Sequence, residues 1–425
     1  MAWIESFKVQ GLAGRKEPVI HTLDRHLNIF WGLNGAGKTT LFHILHAALE
    51  GDASIIEDLP FESAEVVFKD RISKGRILKV TRTFTRALKE VSEVHQSDIF
   101  TSTGSLAFDS YFRSDHEPPP AIDENLAIDD GYLDYDSYQQ SGRWVSTYSV
   151  DDHGFFVDLF GHTFSHSYLP ISRVTDADRL APHFPEDRSR VSNEAFGEQI
   201  REVWRDYSLK SSTAIRDIQQ QGLAKVLSIL FGGDPSAKTD QTDVGDVAPD
   251  LAYSLIETFL VEQDIQLQMD KAAFIQRFET STEHRQVVAE IQTVRRLVDL
   301  KLGPQKEFQR IINLMFRGNK QLILDISNRS PLLGMHLIRI DIGESPIPLY
   351  SLSSGEKQLL RLLLQVLGAE DSAVIVDEPE LSLHVNWQQQ LVTSMQTINS
   401  DCQLLLASHS PEIMAGVSDD YIIEL

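Results

Sequence analysis

A glycine-rich segment near the start of the chain has the residue types and spacing needed to hold a phosphate group. Residues 32–39 read Gly-Leu-Asn-Gly-Ala-Gly-Lys-Thr and fit the pattern G-x-x-x-x-G-K-[ST]. Glycines let backbone N–H groups wrap an anion, and a helix start adds its positive dipole end. Lys38 can then neutralise phosphates, and the Thr39 hydroxyl can ligate Mg²⁺. The predicted phosphate-binding residues are Asn34, Gly35, Ala36, Gly37, Lys38, Thr39 and Thr40.

A second motif is an apolar run that ends in two carboxylates. Residues 374–376 read Val-Ile-Val and are followed by Asp377 and Glu378. If this strand lies beside the strand that precedes the phosphate loop, Asp377 can hold Mg²⁺ and Glu378 can polarise an attacking water. The same pattern alone also fits a strand that ends at a solvated acidic turn. Its combination with the phosphate loop favours the chemical interpretation.

Two more segments could contact a nucleotide. Residues 352–358 read Leu-Ser-Ser-Gly-Glu-Lys-Gln and open a predicted helix, so Ser353, Ser354 and Gly355 could form an anion site. A serine N-cap followed by glycine is the simpler alternative for this segment alone. Residues 407–411 read Ala-Ser-His-Ser-Pro after a predicted strand. There, His409 could hydrogen-bond a terminal phosphate and respond to its loss.

The predicted elements place these motifs at strand and helix ends. Leu27–Trp31 is typical of a buried strand and Thr39–Leu49 of a helix, so the glycine-rich segment joins the two. Ala373–Val376 and Gln403–Ala407 are typical of central parallel strands, and Glu356–Leu367 is predicted to be helical. The other predicted strands are Ile4–Val9, Ala64–Lys69, Arg76–Phe84, and a hairpin of Ile338–Asp341 with Pro346–Tyr350.

The middle of the chain has a different character. Residues 117–136 are acidic and proline-containing, which predicts an irregular loop. Residues 193–230 and 251–316 have the apolar spacing of helices and flank an acidic break at 232–249. No heptad pattern continues over many turns, so we do not expect a long coiled-coil arm.

Composition restricts the class of protein. The chain has 425 residues, and 62 acidic against 39 basic residues give a net charge of −23. A hydrophobic fraction of 42% excludes a disordered chain, and no apolar stretch is long enough to predict a membrane span. The single cysteine, Cys402, excludes an internal disulfide. With no signal-peptide pattern at the start, we expect a cytoplasmic protein that does not contact membranes.

The four motifs, in this order, resemble those of ABC-type ATPases. The segment at 352–358 is similar to the signature L-S-G-G-Q/E, with Ser354 in place of the first glycine, and His409 is similar to the switch histidine. The resemblance implies an α/β fold: an ABC-type P-loop ATPase head, with a mixed sheet and flanking helices. It also implies ATP and Mg²⁺ as cofactors, Thr39 and Asp377 as metal ligands, and Glu378 and His409 as catalytic residues. In this family the signature completes the ATP pocket of a second subunit.

The spacing between the motifs indicates which groups of ABC-type ATPases the chain resembles. Ser353 follows Lys38 by 353 − 38 = 315 residues, far more than in transporter ATPases, so a mainly helical insertion is expected, as in SMC/RecF-type and OLD-type ATPases. Residues 377–384, Asp-Glu-Pro-Glu-Leu-Ser-Leu-His, resemble the D-E-P-E-x-x-L-H run of OLD-like defence ATPases. Residues 168–173 resemble a segment of Septu-type, retron-associated and PARIS-type ATPases. The candidates for a Q-loop glutamine are Gln139 and Gln140.

These motifs predict four regions. Residues 1–115 form the first part of the head and 116–190 a loop-rich connection that returns to it. Residues 191–330 form the helical insertion, and 331–425 form the second part of the head with the signature, the carboxylate pair and the switch histidine.

The resemblance implies an ATP-hydrolysing sensor and scaffold subunit of a bacterial antiphage system. It would form a head-to-tail dimer or a higher homo-oligomer around ATP, respond to a phage-derived trigger and control a separate effector, a nuclease. Because the sequence stops at Leu425, soon after His409, no nuclease module is expected within it. The alternative is a RecF/SMC-type DNA-repair or chromosome-maintenance ATPase that binds duplex DNA, which the net charge of −23 disfavours. A transporter subunit is disfavoured by the large insertion.

Overall fold

A computed structural model describes most of the chain. The described residues are 2–71, 77–86, 137–141, 144–151, 166–169, 185–231, 247–263, 265–266, 268–325, 337–369 and 372–425. The loop predicted at 117–136 and most of the break at 232–249 lie outside them. By packing, the chain forms two compact units. The first comprises 1–171, 369–381 and 401–425, and the second comprises 172–368 and 382–400. The four regions predicted from motif content remain a prediction.

Strands and helices alternate at both ends of the chain, while helices fill its middle. The described strands are β1 (Ala2–Gln10), β2 (Val19–Thr22), β3 (Leu27–Trp31), β4 (Ser63–Arg71), β5 (Ile77–Arg86), β6 (Ser137–Ser141), β7 (Trp144–Asp151), β8 (His166–Leu169), β9 (Lys320–Asp325), β10 (Leu337–Ile342), β11 (Ser345–Ile347), β12 (Ala373–Asp377), β13 (Gln403–Ser408) and β14 (Ile422–Glu424). The described helices are α1 (Lys38–Glu50), α2 (Pro185–Leu230), α3 (Pro249–Glu262), α4 (Lys271–Thr280), α5 (Thr282–Met315), α6 (Ser354–Gly368), α7 (Val385–Ile398) and α8 (Pro411–Met414).

The first unit contains two sheets. An antiparallel sheet has the order β2-β1-β4-β5-β7-β6, and a parallel sheet has the order β14-β3-β13-β12-β8. Every residue of β12 and β13 is buried, which explains their continuous apolar sequence. Helix α1 buries Leu41, Phe42 and Leu45 in the same core as Phe7 of β1 and Phe30 of β3. This core fixes the helix that follows the phosphate loop.

The order of the parallel strands corrects one expectation. Strand β12, which carries the carboxylate pair, was expected beside the phosphate-loop strand β3. Instead β13 lies between them, pairing with β3 on one side and β12 on the other. Because all three strands are parallel, their carboxyl ends still meet at one edge of the sheet. The segments that follow Trp31, Asp377 and Ser408 therefore come together there.

The second unit is mainly helical. Helix α2 has 46 residues and starts eight residues before the predicted helical segment 193–230. Helix α5 has 34 residues and lies within the predicted segment 251–316, and the two helices pack along each other. Their approach is close at Gly222, where an added Cβ would clash with the side chain of Val294. Helices α3 and α4 cover one end of this pair and share a buried core with it, and β11-β10-β9 forms a small antiparallel sheet. Among the described helices, none combines the length and apolar character needed to cross a bilayer.

A buried glutamine ties the two sheets of the first unit together. Gln403, at the start of β13, has no exposed surface. Its side-chain oxygen accepts a hydrogen bond from Ile4 N at 2.8 Å, and its Nε2 donates to Ile4 O at 2.8 Å and Asp24 O at 2.9 Å. The amide therefore pairs with both backbone groups of the buried Ile4, and it adds a second donor to Asp24 O, which also accepts from Asn28 Nδ2.

Replacing Gln403 with Leu should therefore lower the free energy of unfolding. The change keeps the side-chain size but leaves buried backbone groups unpaired, and we expect a loss of ~2–5 kcal/mol. Urea denaturation of Q403L and the wild type measures it. The matched control is Q321L, at an exposed glutamine of β9, which should stay within ~0.5 kcal/mol of the wild type. Equal stability of the two variants would contradict the role of Gln403.

Candidate nucleotide-binding site

The predicted phosphate loop forms an open turn of backbone between β3 and α1. Gly35 and Gly37 have φ values of 87° and 97°, in the left-handed region that glycine tolerates best. An added Cβ at Gly37 would also lie 2.9 Å from Leu12 Cγ, so the turn after β1 confines the loop. Lys38 begins α1, and its Nζ donates to Gly32 O at 2.7 Å and Leu33 O at 3.3 Å. The ammonium group therefore lies within the loop.

Asp377 is the least satisfied carboxylate of the described residues near the loop. It ends β12, is 3% exposed, and neither carboxylate oxygen has a hydrogen-bond partner within the described part of the chain. Burial raises the pKa of Asp377 to about 6; Thr39 and Lys38 oppose this rise, whereas Glu378 and Glu380 add to it. The structure therefore brings the two predicted metal ligands, Thr39 and Asp377, into electrostatic contact.

This donor set fits Mg²⁺ bound together with phosphate. Mg²⁺ keeps several waters and is commonly held by one or two carboxylates plus phosphate oxygens. The described residues contain no group of three or more His, Cys, Asp or Glu side chains arranged as a metal cage. Asp377, with both oxygens buried and unpaired, and the nearby Thr39 hydroxyl offer the few ligands that such a shared site requires.

Glu378 occupies a strained backbone position next to the predicted switch histidine. Its φ is 49°, a left-handed value that costs a non-glycine residue about 1–3 kcal/mol. Its N–H donates to Ala407 O at 2.8 Å, which joins the end of β12 to the end of β13. Its Oε1 lies 3.6 Å from His409 Nδ1. The two predicted catalytic side chains are thus neighbours at the carboxyl edge of the sheet.

Glu380 is a site residue that the sequence analysis missed. It is 6% exposed, and its Oε1 accepts hydrogen bonds from Ser408 Oγ at 2.8 Å and His409 N at 3.0 Å. His409 Nδ1 lies 3.2 Å from the same oxygen. The one available signal was a second glutamate in the Asp-Glu-Pro-Glu run, which spacing alone could not connect to a residue 29 positions later.

The predicted signature residues lie in the second unit, at the start of α6. Ser353 N donates to Glu356 Oε2 at 2.8 Å, and Glu356 N donates to Ser353 Oγ at 3.3 Å, which is a capping box. Ser353 and Ser354 are exposed, whereas Gly355 is buried. An added Cβ at Gly355 would lie 2.6 Å from Ser382 O, so glycine is required by this packing.

An ion pair holds this capping glutamate in place. Lys320 Nζ on β9 lies 2.7 and 2.8 Å from the two carboxylate oxygens of Glu356. Burial acts to raise the pKa of Glu356, but hydrogen bonds from Lys320 and Ser353 outweigh it and lower that pKa below its ordinary value. Strand β9 is in turn joined to α5, since Leu322 N donates to Asn313 Oδ1 at 2.6 Å and Gln309 Nε2 donates to Leu322 O at 2.8 Å.

Other candidates fall elsewhere. Gln139 and Gln140 belong to β6, at the edge of the antiparallel sheet, and the Q-loop assignment remains a prediction. His46 of α1 contacts β8 and does not belong to this site. Its Nδ1 lies 2.7 Å from His166 Nε2 and its ring stacks on Tyr168 with centroids 4.6 Å apart, contacts between α1 and β8 that spacing could not indicate.

Comparisons with known proteins identify both ends of the chain. Residues 6–130 match a family model described as "AAA domain", and residues 321–415 match one described as "AAA domain, putative AbiEii toxin, Type IV TA system". The chain is also similar to the "Retron Vc95 probable ATPase" of Vibrio cholerae serotype O1 biovar El Tor, with 30% identity over 108 residues. That match covers 22% of this chain, and the chain spans about a fifth (20%) of that relative's length.

Solved structures of SMC heads are also similar to the chain. The Smc head domain with an extended coiled coil, bound to the C-terminal domain of ScpA and derived from Pyrococcus furiosus, has 14% identity and a TM-score of 0.41, over 100% of this chain and 93% of that one. The SMC head domain from Thermotoga maritima has 13% identity and a TM-score of 0.38, over 97% and 90%. The chain is therefore similar to AAA-domain ATPases at both ends and, over part of its length, to a retron ATPase.

Replacing Lys320 with Met should destabilise the protein strongly at neutral pH. It leaves Glu356 buried without its cation, a change that typically costs ~3–5 kcal/mol. Because the pKa of folded Glu356 is lowered, the pair's contribution is present above the ordinary glutamate pKa and fades as pH falls through the folded value. Urea denaturation at pH 7 and under acid conditions measures both effects.

The control for this prediction is K306M, which breaks the exposed pair of Lys306 with Asp299, whose side chains are 62% and 61% exposed. We expect a change of no more than ~1 kcal/mol there, because solvent screens exposed pairs. Equal losses for K320M and K306M at pH 7 would contradict a special contribution from Lys320.

Replacing Asp377 with Asn should stabilise the nucleotide-free protein at pH 7. Because the pKa of folded Asp377 is raised to about 6, wild-type stability falls as pH rises from about 4 to 6. Asn removes this charge, so we expect a gain of ~1–3 kcal/mol at pH 7 that disappears near pH 4. Thermal unfolding across this range measures the gain, with D419N at an exposed carboxylate as the control. A D377N protein no more stable than D419N at pH 7 would contradict the prediction.

Proposed function

We propose that this protein is a cytoplasmic, Mg²⁺-dependent ATPase that dimerises head to tail around ATP and controls a separate effector in a bacterial antiphage system. The observation that carries the proposal is the buried, unpaired Asp377 carboxylate beside Lys38 and Thr39, with Glu378 and His409 at the same sheet edge. A carboxylate in this condition is unfavourable for folding, as expected for a group that has a ligand-dependent role.

The phosphate loop and Asp377 would hold the nucleotide. The N–H groups of residues 34–40 and the Lys38 ammonium would contact the phosphates, replacing the hydrogen bonds that Lys38 now makes to Gly32 and Leu33. Thr39 and Asp377 would hold Mg²⁺, Asp377 usually through water. Bound Mg²⁺ supplies positive charge next to the phosphates.

Glu378 and His409 would act on the terminal phosphate. Glu378 is anchored through its backbone to Ala407, and its side chain is 18% exposed, so it can still reach a water molecule. In the proposed role it orients that water and accepts its proton. His409, 44% exposed, would contact the terminal phosphate through its ring and respond when the phosphate leaves.

A second copy of the chain would close the pocket. Ser353 and Ser354 are exposed at the start of a 15-residue helix, where hydroxyl and backbone N–H groups favour an anion. The capping box uses Ser353 Oγ as an acceptor, which leaves the hydroxyl proton able to donate. These residues, with Gly355, would contact ATP held by Lys38 and Thr39 of the partner copy, so ATP would hold the two copies together.

The defence role rests on the similarity to a retron ATPase and on the motif resemblance. The 30% identical match to the Vibrio cholerae protein supports a role in a system in which the ATPase works with other components. The helical insertion, joined to the signature helix through β9 and the Lys320–Glu356 pair, could pass a trigger to the ATP site. A nuclease encoded next to this protein is the effector that we expect.

Replacing Glu378 with Gln should trap an ATP-bound dimer. Loss of the general base should lower turnover ~100-fold or more while binding is retained. Light scattering after gel filtration with ATP and Mg²⁺ should then give twice the monomer mass of 47.9 kDa. K38A should remain monomeric because it weakens nucleotide binding. S354R should bind ATP and remain monomeric.

The two parts of this proposal fail in different ways. A mass that ignores both nucleotide and E378Q would contradict ATP-dependent dimerisation. A dimer that forms equally well with S354R would contradict closure by the signature residues.

A further inference from the structure

We propose that Glu380 is a positioning residue that fixes the ring of His409 for its contact with the terminal phosphate. This inference rests on the proposed function, since it assigns a role to a side chain that lies against the proposed switch histidine. Glu380 itself is 6% exposed and has its Oε1 engaged by the segment that carries His409. It therefore acts through His409 and does not contact the nucleotide.

One carboxylate oxygen accepts two hydrogen bonds from the segment that follows β13 and lies close to the ring of His409. Glu380 Oε1 accepts from Ser408 Oγ at 2.8 Å and from His409 N at 3.0 Å, and it lies 3.2 Å from His409 Nδ1. Ser408 has no exposed surface, and its Oγ also accepts from Ser410 N at 3.0 Å. The buried Glu380 carboxylate therefore lies next to the Ser408 hydroxyl, the His409 N–H and one nitrogen of the His409 ring.

This arrangement sets the direction of the ring. An ionised carboxylate only accepts hydrogen bonds, so a hydrogen bond across this 3.2 Å separation needs the proton to be on His409 Nδ1. The opposite nitrogen, Nε2, then faces away from Glu380. The His409 side chain is 44% exposed, and without this contact such a ring would sample several rotamers. Glu380 restricts the ring to one orientation before a nucleotide binds. Groups that hydrogen-bond to a ligand-contacting side chain commonly orient it in this way.

Glu378 is the competing partner for the same nitrogen. Its Oε1 lies 3.6 Å from His409 Nδ1, beyond hydrogen-bond distance, whereas the Glu380 contact is within it. Because Glu380 occupies Nδ1, Glu378 remains available for water. Loss of Glu380 should therefore affect both side chains by letting His409 turn towards Glu378.

A double-mutant cycle in ATP hydrolysis tests the proposal. E380Q keeps the side-chain size and one accepting oxygen, so it should fold, but it replaces the charged acceptor next to His409 Nδ1 with a neutral and therefore weaker one. We expect E380Q and H409A each to lower kcat by about tenfold or more, with less effect on KM. If Glu380 acts through His409, the double variant should be no slower than H409A. Losses that multiply in the double variant, or a wild-type kcat for E380Q, would overturn the proposal.

A second measurement needs neither nucleotide nor turnover. With ¹⁵N-labelled histidine, the imidazole signals of His409 are identified as those absent from H409A. In the wild type its Nδ1 should carry the proton, and in E380Q the signals should shift towards those of an exposed, averaging ring. S408A is the matched control because it removes a neighbouring hydrogen bond and keeps the Glu380–His409 contact, so the ring signals should persist.

The outcomes separate this inference from the proposed function. A wild-type protein that does not hydrolyse ATP would contradict the proposed function, and the imidazole signals would still test the positioning. A His409 ring that averages freely in the wild type, or one unchanged in E380Q, would overturn the role of Glu380.

Discussion

The candidate nucleotide-binding site depends on three carboxylates that lie within four residues at the end of one buried strand. They are Asp377, Glu378 and Glu380, at the end of β12. Burial raises the pKa of Asp377, and the two glutamates this close to it add to the rise. Here each has a separate environment. Asp377 is buried and interacts electrostatically with Thr39 and Lys38, Glu378 has a left-handed backbone conformation, and Glu380 accepts hydrogen bonds from the segment after β13. Such environments give neighbouring carboxylates different chemical roles, and the apolar core around β12 and β13 keeps them fixed.

Local patterns predicted much of the fold around this edge. The phosphate-loop strand was predicted with the bounds found for β3, and the helix after the loop differs from α1 by one residue at each end. Both depend on short-range features, an apolar run and glycines that need left-handed φ values. Strands β2, β6, β7, β8, β9 and β14 were not predicted. They have three to eight residues, and their sequences become strands only through the neighbours with which they pair.

Contacts between distant residues could not be predicted from spacing. The position of β13 between β3 and β12 follows from chain topology, and it brings Glu380 to His409 across 29 positions. Lys320 reaches Glu356 across 36 positions for a similar reason. The motifs supplied the residue types of the candidate site, but the partners that hold those residues came only from the three-dimensional arrangement. Glu380 and Lys320 are both partners of this kind.

The burial of Glu356 removes a negative charge from the surface that is proposed to contact ATP. A carboxylate exposed beside Ser353 and Ser354 would repel a triphosphate. Glu356 instead points inward, pairs with Lys320 and accepts from Ser353 N, so its charge is compensated within the second unit. The start of α6 then offers hydroxyl and N–H donors without an exposed negative charge from its capping residue. The chain has a net charge of −23, so compensating Glu356 lowers the repulsion between the start of α6 in a second copy and bound ATP in the proposed dimer.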